Sequence, residues 1–250
     1  IRESIAGDVC DIENITKEML EKSYESFYSY ENCIIIGCGD IDSKSFFEQA
    51  EHLKLNNTHA EKKSINDNIY KKEYTVNMPV SKPIYHIGFR DSLKNTALDR
   101  LCISNIIMEL LFSKSSELYE KLYNSGLADD SFNFEVLHGI DYGCTIIKGE
   151  GHSYNKILEE TISQIKNYIN YGIPKDTLER IIQKLKTQML FNSENISSLV
   201  SFAADCFSKN IEILDIYNNY DKIDIEKIIN TMKEQYTYDN AVLSLINQCQ

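Results

Sequence analysis

The segment from Thr96 to Phe112, TALDRLCISNIIMELLF, constrains the fold more than any other stretch. Its apolar side chains cover most of a helix circumference. The polar residues Asp99, Arg100, Ser104, Asn105 and Glu109 are confined to a narrow stripe. A helix that is apolar nearly all round must be buried on most sides. The rest of the chain therefore has to enclose it, and the flanking segments suit that task. Glu73 to Met78 alternates as a strand, and Ile84 to Phe89 forms another beyond Pro83. After the helix, Ser115 or Ser116 caps a shorter helix that Gly126 can end as a left-handed cap. Phe132 to Leu137 and Cys144 to Lys148 form a strand pair. Tyr154 to Tyr171 is an amphipathic helix that stops at Gly172, and Pro174 sits near the start of the next. Helices continue to about Tyr236, and Ala241 to Ile246 closes as a strand. This order predicts an α+β fold, a mainly antiparallel sheet with helices packed on one face.

The N-terminal part is organised differently. Glu13 to Tyr30 reads as a helix with Ile15, Met19, Leu20, Tyr24 and Phe27 on one face, and Asn14 or Thr16 can cap its start. Cys33 to Cys38, CIIIGC, reads as a buried strand, being too short and too β-branched for a helix. Ser43 or Ser45 then opens a helix to about Leu53. Asn56 to Asn68 is polar and aperiodic, which places a boundary there. The domains expected are 1–55, a linker at 56–69, and 70–250. The first residues, IRESIAGD, carry no initiator Met, which points to a start inside a longer gene product.

Charge and cysteine usage narrow the function classes. The net charge of -12 argues against binding nucleic acid, whose phosphates need Lys and Arg, and against docking on an anionic membrane. No stretch reaches the roughly 18 apolar residues needed to span a bilayer. Seven cysteines at irregular spacing, most inside apolar runs, read as buried free thiols in a reducing, cytoplasmic compartment.

The search for chemistry finds no catalytic constellation. Five histidines are present, His52, His59, His86, His138 and His152, and none falls in H-E-x-x-H or H-x-x-E-H. Glu48-Gln49-Ala50-Glu51-His52 is H-x-x-E-H with Glu in place of the first His. A helix would put Glu48 and His52 on one face, as a metal pair needs, but the same pattern suits an exposed helix face better. Cys33 and Cys38 point to opposite faces of a strand and make poor joint ligands. Gly149-Glu150-Gly151 lacks the following Lys and Ser or Thr of a phosphate loop and reads as a turn. His86 reads as a sheet histidine.

Two segments together resemble the insulinase/pitrilysin family of zinc metallopeptidases, in its mitochondrial-processing-peptidase-like branch and nearest its bacterial members. The first is AGDVCDIENITKEMLEKSYESFYSYENCIIIGCGDID, residues 6 to 42, with Gly7, Ile12 to Thr16, Phe27-Tyr28, Asn32 and Gly39 to Asp42 at the matching positions. The second is LFSKSSELYEKLYNSGLADDSFNFEV, residues 111 to 136, a helix ending in a Gly-Leu turn that enters a strand. The resemblance implies repeated α+β domains whose two halves enclose a peptide in a chamber. It implies that zinc and its H-x-x-E-H motif lie in a preceding domain, so this chain holds no cofactor and no metal site of its own. Residues 1 to 55 would be the closing helix, strand and helix of that domain, and 70 to 250 the following non-metal domain.

The resemblance also implies a substrate contact around the Gly-Leu turn, so Tyr119, Tyr123, Gly126 and Asp129 are the candidate substrate-binding residues. Many relatives read R-x-x-G-L-x-Y there; this chain has Tyr123 and Asp129 in place of the Arg and Tyr. Tyr119, Leu122, Tyr123 and Leu127 also suit packing. Three functions are thus on the table. The chain is the non-metal part of a zinc peptidase, inactive alone and partnered by peptide and by the metal-bearing domain. Alternatively it is a non-catalytic partner subunit of a heterodimeric processing-type peptidase, or a small-molecule or redox enzyme, for which no motif speaks. A homo-oligomer is compatible with the first two.

Overall fold

A computed structural model describes residues 7–57 and 69–249. The chain divides into two compact units, 1–64 and 65–250.

The second unit is built on a five-stranded sheet. Its strands are β1 (Glu73–Met78), β2 (Ile84–Arg90), β3 (Asn133–His138), β4 (Gly143–Glu150) and β5 (Ala241–Gln248), in the order β1-β5-β2-β4-β3. Every pairing is antiparallel except β1 with β5. Alternation sets the faces. Tyr85, Ile87, Phe89, Thr145, Ile147, Ala241 and Leu245 point into the core and are buried. His86, Gly88, Arg90, Cys144, Ile146, Lys148, Val242, Ser244 and Ile246 point the other way, and none of them is fully buried. Within this unit the described helices cover the first face alone, the α+β arrangement expected from the sequence.

The central helix is α4 (Ala97–Phe112), with Thr96 Oγ1 accepting from the Asp99 amide at 3.1 Å as its cap. It packs on β3 and β4 and on α5 (Glu117–Asn124), α7 (Lys175–Ser193), α9 (Ile213–Asn219) and α10 (Ile225–Gln235). Its enclosure is more complete than the sequence suggests. The polar stripe is itself covered: Arg100, Ser104 and Glu109 are all buried. Each stripe residue has a partner. Lys184 Nζ donates to Glu109, Lys227 Nζ and Asn219 to Asp99, and Asn105 to the Tyr220 hydroxyl. Burying such groups is tolerable only when they are paired.

The second-unit elements otherwise follow the sequence within a residue or two. Ser116 caps α5, Gly126 is left-handed at φ 70°, and Gly172 ends α6 (Tyr154–Tyr171) at φ 83°. The helical run to Tyr236 also includes α8 (Ile196–Ser208).

Two expectations for the first unit need correction. The predicted helix over 13–30 is two pieces, α1 (Val9–Glu13) and α2 (Lys17–Phe27), because Thr16 is extended and caps the second by accepting from the Met19 amide. The predicted strand Cys33 to Cys38 is not a strand. Ile34 and Ile35 are exposed, and no neighbouring strand pairs with the segment among the described residues. Extended backbone becomes a strand only against a partner. The next helix, α3 (Ser43–Glu51), is capped by Asp42, which accepts from the Ser45 amide at 2.7 Å. Most of the predicted linker, 58–68, lies outside the described residues, as does His59. The cysteines are also less buried than expected: Cys102 and Cys206 are buried, but Cys10, Cys33 and Cys249 are exposed.

Candidate functional site

The sequence-predicted metal pair does not form a site. Glu48 and His52 are exposed, Glu48 lies 3.9 Å from Lys44, and His52 caps the end of α3. Among the described residues no group of three His, Cys, Asp or Glu side chains could hold a metal ion. A zinc site needs at least three such donors converging, so these residues do not fit zinc.

The predicted substrate-binding residues surround one turn but face different ways. Tyr119 is buried, its ring 5.9 Å from Phe132. Tyr123, one turn further along α5, stacks on Tyr119 at 6.0 Å and is exposed. Gly126 lets the chain reverse, so that the Leu127 and Ala128 amides donate back to the Leu122 carbonyl. The Asp129 carboxylate accepts from the Ser131 amide and lies 3.6 Å from Lys82 Nζ. The Ser131 hydroxyl, then the Ser131 amide and the Lys82 charge, hold its pKa below the ordinary value. Of the four, Tyr123 and Asp129 present side chains to solvent.

A constellation absent from the sequence reading joins the end of β2, α4 and the β3–β4 hairpin. His138 Nδ1 lies 3.2 Å from Asp91 Oδ2, and His138 Nε2 lies 3.1 Å from Ser104 Oγ. Arg100 donates to Asp91 Oδ2 at 3.1 Å and to the carbonyls of Gly139 and Ile140. Burial by itself would raise the Asp91 pKa. The His138 ring 3.2 Å away, the Leu93 amide and the Arg100 charge outweigh it, so the carboxyl is held below its usual value. Gly143 permits this arrangement, because a Cβ there would stand 2.6 Å from Asp91 Oδ2.

Ser104, His138 and Asp91 thus have the connectivity of a nucleophile, base and orienting acid. Access decides against that use. Ser104 is 1% exposed and His138 4%, on the helix-covered side of the sheet. No substrate atom can approach the hydroxyl, and the cluster is a polar clamp that ties the hairpin to α4. The signal for it was present as Arg100 and Ser104, one turn apart in the stripe.

The open feature is the bare face of the sheet. The register brings Val242, Gly88, Ile146 and Glu135 into one row across β5, β2, β4 and β3. Gly88 has no side chain in the middle of that row. His86 and Arg90 flank it two residues away along β2. The result is a hollow of about 450 Å³, lined also by Ile69, Tyr70, Lys71, Cys144 and Ser244.

Comparison with known proteins decides the family. The model of the peptidase M16 inactive domain matches residues 14–185. The chain belongs to the M16 peptidase inactive-domain family. Within it, the chain is 24% identical over 256 residues to the uncharacterized zinc protease YmfH of Bacillus subtilis (strain 168), covering 97% of this chain and 59% of that protein. The fold matches that of an M16-like peptidase from Alicyclobacillus acidocaldarius with a TM-score of 0.85 at 20% identity, over 99% of this chain and 62% of that one. It also matches a peptidase M16 inactive domain from Pseudomonas fluorescens, with a TM-score of 0.75 at 13% identity, over 99% of this chain and 61% of that one. This M16 chain therefore spans about three fifths of the relatives it matches. The insulinase-type resemblance and the α+β fold expected from the sequence both stand.

Proposed function

We propose that this M16 chain is the non-metal part of a zinc peptidase and supplies one wall of a chamber that encloses a peptide. The observation that carries the reading is the bare sheet face with its apolar hollow. A sheet of a self-sufficient domain buries one face and lines the other with polar groups, whereas here Ile146, Val242 and Ile246 share the uncovered face. Residues 1 to 55 belong, on this reading, to the end of the metal-binding-type domain. Zinc and its motif reside in the remainder of the longer protein, where zinc would activate water and a motif Glu would act as base. The exposed Tyr123 and Asp129, beside the Gly126 turn, supply substrate contacts, with Tyr119 supporting Tyr123 from below. Seven unpaired thiols suit a cytoplasmic setting.

The test is complementation. A separately expressed H-x-x-E-H domain from the same genome is mixed with this chain and a quenched flexible peptide. Chelator-sensitive turnover is expected from the mixture and none from this chain alone. Zinc-dependent turnover by this chain alone, or no association between the two parts, overturns the reading. If the H-x-x-E-H motif is encoded by a separate gene, the chain is instead the non-catalytic subunit of a heterodimer.

A further inference from the structure

We infer that the free edge of β1 is a docking site for one extended strand of the metal-bearing domain, which adds to the sheet beside it. This deepens the chamber-wall reading and rests on it. β1 ends the sheet and pairs on one side only, with β5. The ladder shows which of its groups that pairing uses. The Leu243 amide donates to the Lys72 carbonyl at 2.8 Å, and the Cys249 amide to the Met78 carbonyl at 3.0 Å. Successive residues of a strand turn their backbone groups to opposite sides, so those of Tyr74 and Val76 also point at β5. The amides and carbonyls of Glu73, Thr75 and Asn77 point away from it. Among the described residues nothing bonds to them. Sheet edges are ordinarily blunted by Pro, by a bulge, by charge or by a covering segment. EYTVNM holds no Pro, and its only charge, Glu73, stands at its start. It pairs with β5 residue for residue, and apart from the half-buried Val76 it is exposed throughout.

The side chains say what kind of strand fits. Val76 lies on the bare face in a row with Ile246 and Ile84. Met78 and Tyr74 flank it on the same side and are exposed, with the Lys71 ammonium 4.7 Å from the Tyr74 ring centroid. Glu73, Thr75 and Asn77 lie on the other face. A strand added here therefore alternates, with apolar residues opposite Val76 and Met78 and polar ones opposite Glu73, Thr75 and Asn77. The source of that strand follows from length. The chain spans about three fifths of the relatives it matches, and on the chamber-wall reading the remainder holds the metal-bearing domain. A second copy of this chain suits the edge less well, because each copy carries a net charge of -12 and like charges repel.

Residue-resolved hydrogen exchange tests this on the whole chain, alone and with the separately expressed H-x-x-E-H domain. Alone, the Thr75 and Asn77 amides should exchange freely while Val76 and Met78, bonded to β5, are protected. Adding the domain should slow Thr75 and Asn77 about tenfold or more and so erase the alternation. Docking on the bare face without pairing leaves the alternation in place, and that result overturns the strand. A substitution gives a second reading. Thr75→Pro removes an outward amide, is of a kind that edge strands tolerate, and leaves the β5 ladder whole. It should weaken association about tenfold, whereas Thr75→Val should not. Equal affinity of Thr75→Pro and wild type overturns the proposal. Slowing of the Thr75 and Asn77 amides by the quenched peptide alone, or a homodimer that Thr75→Pro dissociates, gives the edge to another occupant and also overturns it. If the two parts associate and cleave peptide while Thr75 and Asn77 stay fast, the added strand is wrong and the chamber wall stands. If the two parts never associate, both readings fall.

Discussion

Asp91 shows how a single carboxylate can matter to this fold without taking part in chemistry. It is 4% exposed and shares one oxygen between Arg100 and His138. Removing its charge leaves the buried Arg100 guanidinium with the Gly139 and Ile140 carbonyls but no counter-charge, and breaking a buried pair in this way costs about 3–5 kcal/mol. Asp91→Asn should therefore lower the urea midpoint at neutral pH by a corresponding amount. The pH dependence follows from the direction of the shift. The carboxyl is held below its unfolded-state value of 3.8. Its contribution is therefore fully present above that value and is lost as the pH falls through the lower folded value. Below about pH 4 the wild-type chain should lose stability more steeply than Asp91→Asn. Parallel acid limbs for the two proteins, measured by urea titration at each pH, would remove Asp91 from the account of acid unfolding. Neither Asp91 nor His138 could be found from spacing. They are 47 residues apart in the chain and meet only because the hairpin folds back on α4.

Among the elements, α4 was the most legible and the segment 33–38 the least, and the difference is physical. The signals for α4 are local: an apolar circumference and a Thr96 cap. Local signals survive whatever surrounds them. What its stripe would do was not legible, since partners such as Lys184 and Lys227 come from distant helices. The segment CIIIGC carries an equally strong local signal for a strand, but a strand is a property of a pair. The hollow over Gly88 is a further case. Gly88 in a strand marks close approach or a gap, and only the register with Val242 and Ile146 says which. The weight of packing against capping in α4 can be measured. Ile106 is fully buried, so Ile106→Ala should cost about 2–5 kcal/mol through lost burial and a cavity. Thr96→Ala removes one capping bond and should cost about 1 kcal/mol. Urea midpoints showing the opposite order would mean that α4 is held by its ends rather than its faces.

The whole molecule is uneven in where its core lies. All the buried hydrophobic side chains among the described residues belong to the second unit. Among the described residues of the first unit Ser29 alone is buried, while Ile15, Met19, Leu20, Tyr24 and Phe27, which follow one helical face, are between 47% and 60% exposed. Such a row is what an amphipathic helix presents to a core, and the described residues of that unit supply none. Stability should therefore differ sharply between the units, since local opening free energy tracks buried apolar contact. Amides of α2 and α3 should exchange within the fast regime, while those of α4, β2 and β4 exchange only on global unfolding. If the chamber-wall reading is right, adding the metal-bearing domain should slow exchange in α2 and across 33–38, where Ile34 and Ile35 are exposed. Protection of about 3 kcal/mol, a factor of order a hundred, would correspond to burying one or two such side chains. Exchange by mass spectrometry reads both arms. Slow exchange of α2 in this chain alone would show that the first unit has a core of its own, and unchanged exchange on addition of the metal-bearing domain would show that its apolar face is meant for something else.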